Sequence, residues 1–111
     1  MLIYKIFRNS EWFAFLETGS TQGAPIDLAD GFIHFSTAAT VEETANKHFK
    51  DEIDLIVATV SANDVADDLK WEKSRGGLLF PHLYRPLRRS DVLRYGALPV
   101  TDRGFDFSDV L

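Results

Sequence analysis

The chain has 111 residues, 45% hydrophobic and 13% aromatic, with no cysteine and a net charge of −5. That length suits one domain spanning 1–111, and the composition excludes a disordered tail. Without cysteine, neither disulfides nor thiolate metal sites can hold the fold. No apolar run approaches the ~18 residues of a spanning helix, so no membrane partner is expected.

The charge is uneven. Residues 1–69 carry 4 Lys and Arg against 12 Asp and Glu, whereas residues 70–111 carry 8 against 5. The basic second half, with Lys73, Arg75, Arg85, Arg88, Arg89 and Arg94, reads either as a solvated rim or as a surface facing phosphate or carboxylate. Nucleic acid is not an expected partner, because the whole chain is acidic.

In chain order, Leu2 to Phe7 is β-prone and starts the sheet rather than a signal peptide, which fits a cytoplasmic protein. Ser10 is placed as an N-cap with Glu11 in the first helical turn. Trp12, Phe15 and Leu16 share a helical face, and Gly19 stops the helix. Residues 19–30 read as a loop bordering a site. In the strand that follows, period two puts Phe32, His34 and Ser36 on one face, and Ile33, Phe35 and Thr37 on the other. Thr40 and Glu43 have the spacing of a capping box for a helix over 38–50 with Val41, Ala45, His48 and Phe49 on one face.

Ile53 to Val60 reads as a strand buried on both faces. Ser61 to Asp68 is a short helix or turn, and Leu69 to Glu72 alternates like a strand with Trp71 in the core. Ser74 to Gly77 is a turn. Leu78 to Tyr84 is extended, with Pro81 pointing to an edge, a bulge or irregular chain. Val92 to Val100 is a further strand with Gly96 as a candidate bulge, and Gly104 to Phe107 is a short last extended piece. Helices early and strands late argue for an α+β fold.

Three groups of residues can carry chemistry. His34 reads either as a strand histidine satisfied by a carbonyl or carboxylate, or as a donor to a ligand with Ser36 beside it. Thr37 fits a ligand contact or a helix cap. Glu72 reads as a surface ion pair or, turned into a cleft, as a base or a ribose ligand, with Arg75 and the Gly76–Gly77 turn beside it. If extended, Phe80, His82 and Tyr84 line one side and offer rings with polar tips to a planar ligand. The spacing of His34, His48 and His82 does not support a metal, and no serine sits in a hydrolase elbow.

Five ordered motifs, Asp30-Gly31-Phe32-Ile33-His34-Phe35-Ser36-Thr37, Lys47-His48-Phe49, Leu69-Lys70-Trp71-Glu72, Ser74-Arg75-Gly76-Gly77 and Phe80-Pro81-His82-Leu83-Tyr84, resemble the signature of the DUF952 family, a bacterial family of unknown function. The resemblance implies an ADP-ribosyltransferase-like fold: two small, roughly perpendicular sheets around a cleft, with two or three helices. Transferases of that fold typically use an early-strand His or Arg, an aromatic or Ser/Thr element and a later Glu or Gln. His34 is similar to the first, Ser36 or Tyr84 stands for the second, and Glu72 for the third, although no Glu-x-Glu or Gln-x-Glu surrounds it.

Two readings of function follow. In one, a small nucleotide-type ligand, NAD foremost, binds at His34, Ser36, Thr37, Arg75, His82 and Tyr84, and His34 and Glu72 serve ADP-ribosyl or glycosyl transfer. In the other, the same cleft belongs to a non-catalytic module binding a metabolite or a protein.

Overall fold

The computed structural model describes residues 1–111 apart from the side chain of Arg75, so the phosphate contact expected of that residue lies outside the described residues. The fold is α+β. Its strands are β1 (Leu2–Phe7), β2 (Ser20–Thr21), β3 (Ile33–His34), β4 (Leu55–Ser61), β5 (Leu69–Lys73), β6 (Leu79–Leu83), β7 (Leu87–Arg88), β8 (Val92–Leu98), β9 (Val100–Thr101) and β10 (Gly104–Phe105). The α-helices are α1 (Asn9–Thr18), α2 (Pro25–Asp30) and α3 (Val41–His48), and a 3₁₀ segment covers Ala62–Asp68.

Two antiparallel sheets dominate. One has the order β1-β4-β8 and the other β3-β6-β5, while β2 pairs with β7 and β9 with β10. In the first sheet β4 is central and buried on both faces, as its apolar run requires. Ala58 and Val60 face a core shared with Ile3, Phe7, Trp12, Phe15 and Leu83. Leu55 and Val57 face a second core with Tyr4, Ile6, Val41, Ala45 and Phe107. Helix α1 seals the first core through Trp12 and Phe15, whose rings meet that of Phe7 at 5.1 and 5.5 Å. Each such burial contributes about 1.5–3 kcal/mol. By alternation Lys5 shares the face of Ile3 and Phe7, which turns it toward the second sheet.

The chain crosses between the sheets over 33–36. Ile33 and His34 pair with Leu83 and His82, Phe35 N–H donates to Pro81 O at 3.0 Å, and Ser36 exchanges two 2.8 Å backbone bonds with Tyr4. The longer strand expected from period two is therefore cut to two residues, because its second half is drawn away to β1. Phe32 and His34 keep their common face, with ring centroids 4.7 Å apart.

Several other expectations are corrected. Arg8, not Ser10, is the N-cap residue of α1, and its backbone N–H donates to Glu11. The stretch 19–30 is not a plain loop, since it holds β2 and α2. Helix α3 is shorter than 38–50, and Thr40 makes no side-chain cap because its Oγ1 accepts from Thr37 N–H instead. Pro81 lies in the central strand of its sheet, not on an edge. Its carbonyl accepts from Phe35 N–H, so its missing N–H faces the same side, where β3 has already ended, and the ladder to β5 is spared. Trp71 is 38% exposed, because β5 runs beyond the core that Leu69 still touches. The irregularity of β8 lies at Leu93, between the Thr59–Arg94 and Val60–Val92 pairs, while Gly96 pairs regularly with Val57.

Candidate functional site

The site is built on the polar face of the second sheet. His34 and His82 are direct cross-strand partners, so their side chains lie on the same face. Their rings stand nearly perpendicular, 5.2 Å apart, and Phe32 stacks on His82 at 4.2 Å. The two imidazoles are held in different ways.

His34 is held from α2. Asp27, 1% exposed, accepts from four donors. Lys5 Nζ at 2.7 Å and Ala24 N–H at 2.8 Å reach Oδ2, and His34 N–H at 3.0 Å and His34 Nδ1 at 2.5 Å reach Oδ1. Burial alone raises the Asp27 carboxyl. The hydrogen bond from His34, with the charge and hydrogen bond of Lys5, outweighs it and lowers the pKa to about 2. Gly23 makes this packing feasible. Its φ is +99°, and a Cβ there would overlap the Asp27 side chain. On the other edge of the ring, His34 Nε2 lies 3.0 Å from Asp30 Oδ2, at the last residue of α2.

His82 is held from β5. Its Nδ1 is 2.9 Å from Glu72 Oε1, which also accepts from Tyr84 OH at 2.6 Å. The Tyr84 and His82 bonds hold the Glu72 carboxyl below its ordinary range, and the same Glu72 contact raises the Tyr84 hydroxyl. Lys70 Nζ sits 4.7 Å over the Tyr84 ring and completes this surface cluster. With Nδ1 turned to a carboxylate, Nε2 is the ring nitrogen left for another partner. That nitrogen is buried and has no hydrogen-bond partner among the described residues.

Both histidines line a cleft of about 830 Å³, within the range of small-molecule sites. Asp27 and Asp30 lie at its histidine end, Arg8 and Lys47 supply cations, and Ile26, Phe49 and Phe80 supply apolar surface. Arg8 is engaged by Glu52 at 2.8 and 3.0 Å, and its guanidinium lies 4.8 Å over Phe49. Among the described residues Lys47 has no ion-pair partner.

The other expected site residues are placed unequally. Ser36 lines the cleft and donates to Thr44 Oγ1 at 3.1 Å. Thr37 does not line it, and its hydroxyl lies 3.1 Å from that of Thr40 in the turn before α3. Tyr84 opens on a smaller hollow of about 280 Å³ beside Phe32. Glu72 lines neither space and stands behind His82. Among the described residues it pairs with neither Lys70 nor Lys73, its neighbours in sequence, and its ion-pair contact is with His82.

The model of the family described as "Protein of unknown function (DUF952)" matches residues 6–95. The chain belongs to the DUF952 family. It is similar to protein CC0527 from Caulobacter crescentus. The crystal structure of CC0527 is 45% identical, with a TM-score of 0.93 over 98% of this chain and 96% of that one. The solution NMR structure of CC0527 is 46% identical, with a TM-score of 0.87 over 99% and 96%. No curated protein matches the chain.

In this DUF952 chain, Lys5 and Asp27 escaped the sequence reading. A signal existed for Lys5: alternation within Ile3-Tyr4-Lys5-Ile6-Phe7 puts a lysine on a buried face, and a buried lysine requires an acid. Nothing in the sequence said which of 17 acids it meets.

Proposed function

We propose that the cleft takes a nucleotide-type ligand of the NAD class on an ADP-ribosyltransferase-like fold, and that it serves ADP-ribosyl or glycosyl transfer. One observation carries the reading: His82 Nε2 is buried and unpaired beside His34 in a cleft of ligand size. Leaving such an atom unpaired costs about 1–3 kcal/mol, which a hydrogen bond with a ligand hydroxyl recovers.

In this reading His82 and Ser36 receive a ribose or its amide-bearing ring, and the His34 ring, held between Asp27 and Asp30, forms the wall beside it. The apolar lining receives a planar base, and Lys47 faces phosphate. Thr37 and Tyr84, which do not line the cleft, take no part in this contact. Glu72 is a positioning residue that acts through His82, since its acceptor oxygen is already shared by His82 and Tyr84. That same engagement of Glu72 favours the second reading, a non-catalytic module binding a metabolite, because it turns Glu72 away from the cleft and toward His82 and Tyr84.

Calorimetric titration with NAD and ADP-ribose tests the site. The expected result is binding that His82→Gln weakens at least about tenfold, the loss of roughly one hydrogen bond to a polar ligand. No heat at millimolar nucleotide overturns the reading. Release of nicotinamide from bound NAD separates transfer from binding alone.

A further inference from the structure

Asp30 occupies an unfavourable place. It is the last residue of α2, where backbone carbonyls point outward and the helix favours a cation, and the last turn of α2 holds no basic residue. Among the described residues its one partner is His34 Nε2, at 3.0 Å. Its side chain is 46% exposed at the histidine end of the cleft. Lys5 answers the neighbouring Asp27, whereas Asp30 turns one oxygen to His34 and has no further partner among the described residues.

His34 is therefore not open to a ligand in the way His82 is. Both its ring nitrogens face carboxylates, Asp27 on one side and Asp30 on the other. A ligand group arriving here meets Asp30 as an acceptor. A hydroxyl donates to it, and a phosphate oxygen is repelled by it. Like charges within about 4 Å repel strongly enough to reject a ligand several-fold even near the surface.

Resting on the nucleotide reading above, we propose that Asp30 is a specificity-determining residue that accepts a hydroxyl of an unphosphorylated ribose and excludes a ribose bearing a 2′- or 3′-phosphate. The cations that would welcome a phosphate, Lys47 and Arg8, come from α3 and from the β1–α1 junction instead. The charge pattern thus orients the ligand as well as selecting it, with hydroxyls toward Asp30 and phosphate toward Lys47.

The test uses nucleotides with a single ribose, so that the position of the added phosphate is unambiguous. AMP, adenosine 2′,5′-bisphosphate and adenosine 3′,5′-bisphosphate are titrated into the wild-type chain and into Asp30→Asn, with NAD as reference. The expected result is AMP binding at least about tenfold tighter than either bisphosphate in the wild type, narrowing to within about threefold in Asp30→Asn. Equal binding of AMP and both bisphosphates to the wild type overturns the proposal and leaves the nucleotide reading standing. So does an unchanged ratio in Asp30→Asn, or binding of NAD without binding of AMP. Binding of neither NAD nor AMP overturns both. Asp30→Ser, checked by circular dichroism, provides a second variant should Asp30→Asn fail to fold.

Discussion

Two of the histidines lining the cleft, His34 and His82, face each other across one strand pair, yet they are supported by opposite kinds of chemistry. His34 is held by a buried carboxylate whose charge is compensated by a buried lysine, inside the packing that joins the two sheets. His82 is itself buried, but its support is a glutamate and a tyrosine on the outer surface of β5 and beyond β6. The first support is part of the fold, and losing it disturbs everything around it. The second can be altered with little effect on folding, because water replaces what is removed. A site built this way separates a rigid, charge-occupied ring from one whose free nitrogen remains available.

The largest expected effect tests the buried side. Asp27→Asn keeps the shape but leaves Lys5 without its counter-charge, and urea unfolding should show a loss of about 3–5 kcal/mol. A loss below about 1 kcal/mol breaks the comparison. Acid adds a related test. The folded Asp27 pKa of about 2 lies below its ordinary 3.8. Its stabilisation is therefore complete above the unfolded value and lost as pH falls from about 4 through 2, amounting to about 2 kcal/mol. Asp27→Asn should lack that part of the acid dependence of stability.

Gly23→Ala comes next. The positive φ and the overlap with Asp27 act together, and the expected cost is about 1–3 kcal/mol with weakened ligand binding, since His34 shifts with Asp27. On the exposed side, Glu72→Gln should leave the urea midpoint unchanged while weakening NAD binding several-fold through His82. If it unfolds the protein as Asp27→Asn does, the two supports are not different in kind. The smallest effect belongs to Tyr84→Phe, which removes one donor to Glu72 and leaves His82 in place. In the parent chain, absorbance titration should find one tyrosine ionising above its ordinary range, and Glu72→Gln should return it toward that range.

Much of this was legible along the chain. The β-prone start at β1, the apolar run of β4 buried on both faces, the apolar face of α1 and its stop at Gly19 follow from local rules that tertiary packing reinforced. His34, Ser36 and His82 stood out because titratable or hydroxyl-bearing residues on apolar strands are conspicuous, and all three line the cleft. Thr37 and Tyr84 were equally conspicuous but are turned to a local bond and to a neighbouring hollow. Local pattern says what a residue can do and not where its side chain comes to rest.

What the sequence determined by itself was the α+β class, the family through five ordered motifs, and the histidines around which a cleft would form. Only the tertiary structure decided that the strand carrying His34 breaks after two residues, that Pro81 sits in a central strand, and that Lys5 meets Asp27 across 22 positions. The physical reason is common to all three. Strand pairing and buried charge pairing are non-local contacts, and the free energy that settles them is absent from any short window of sequence.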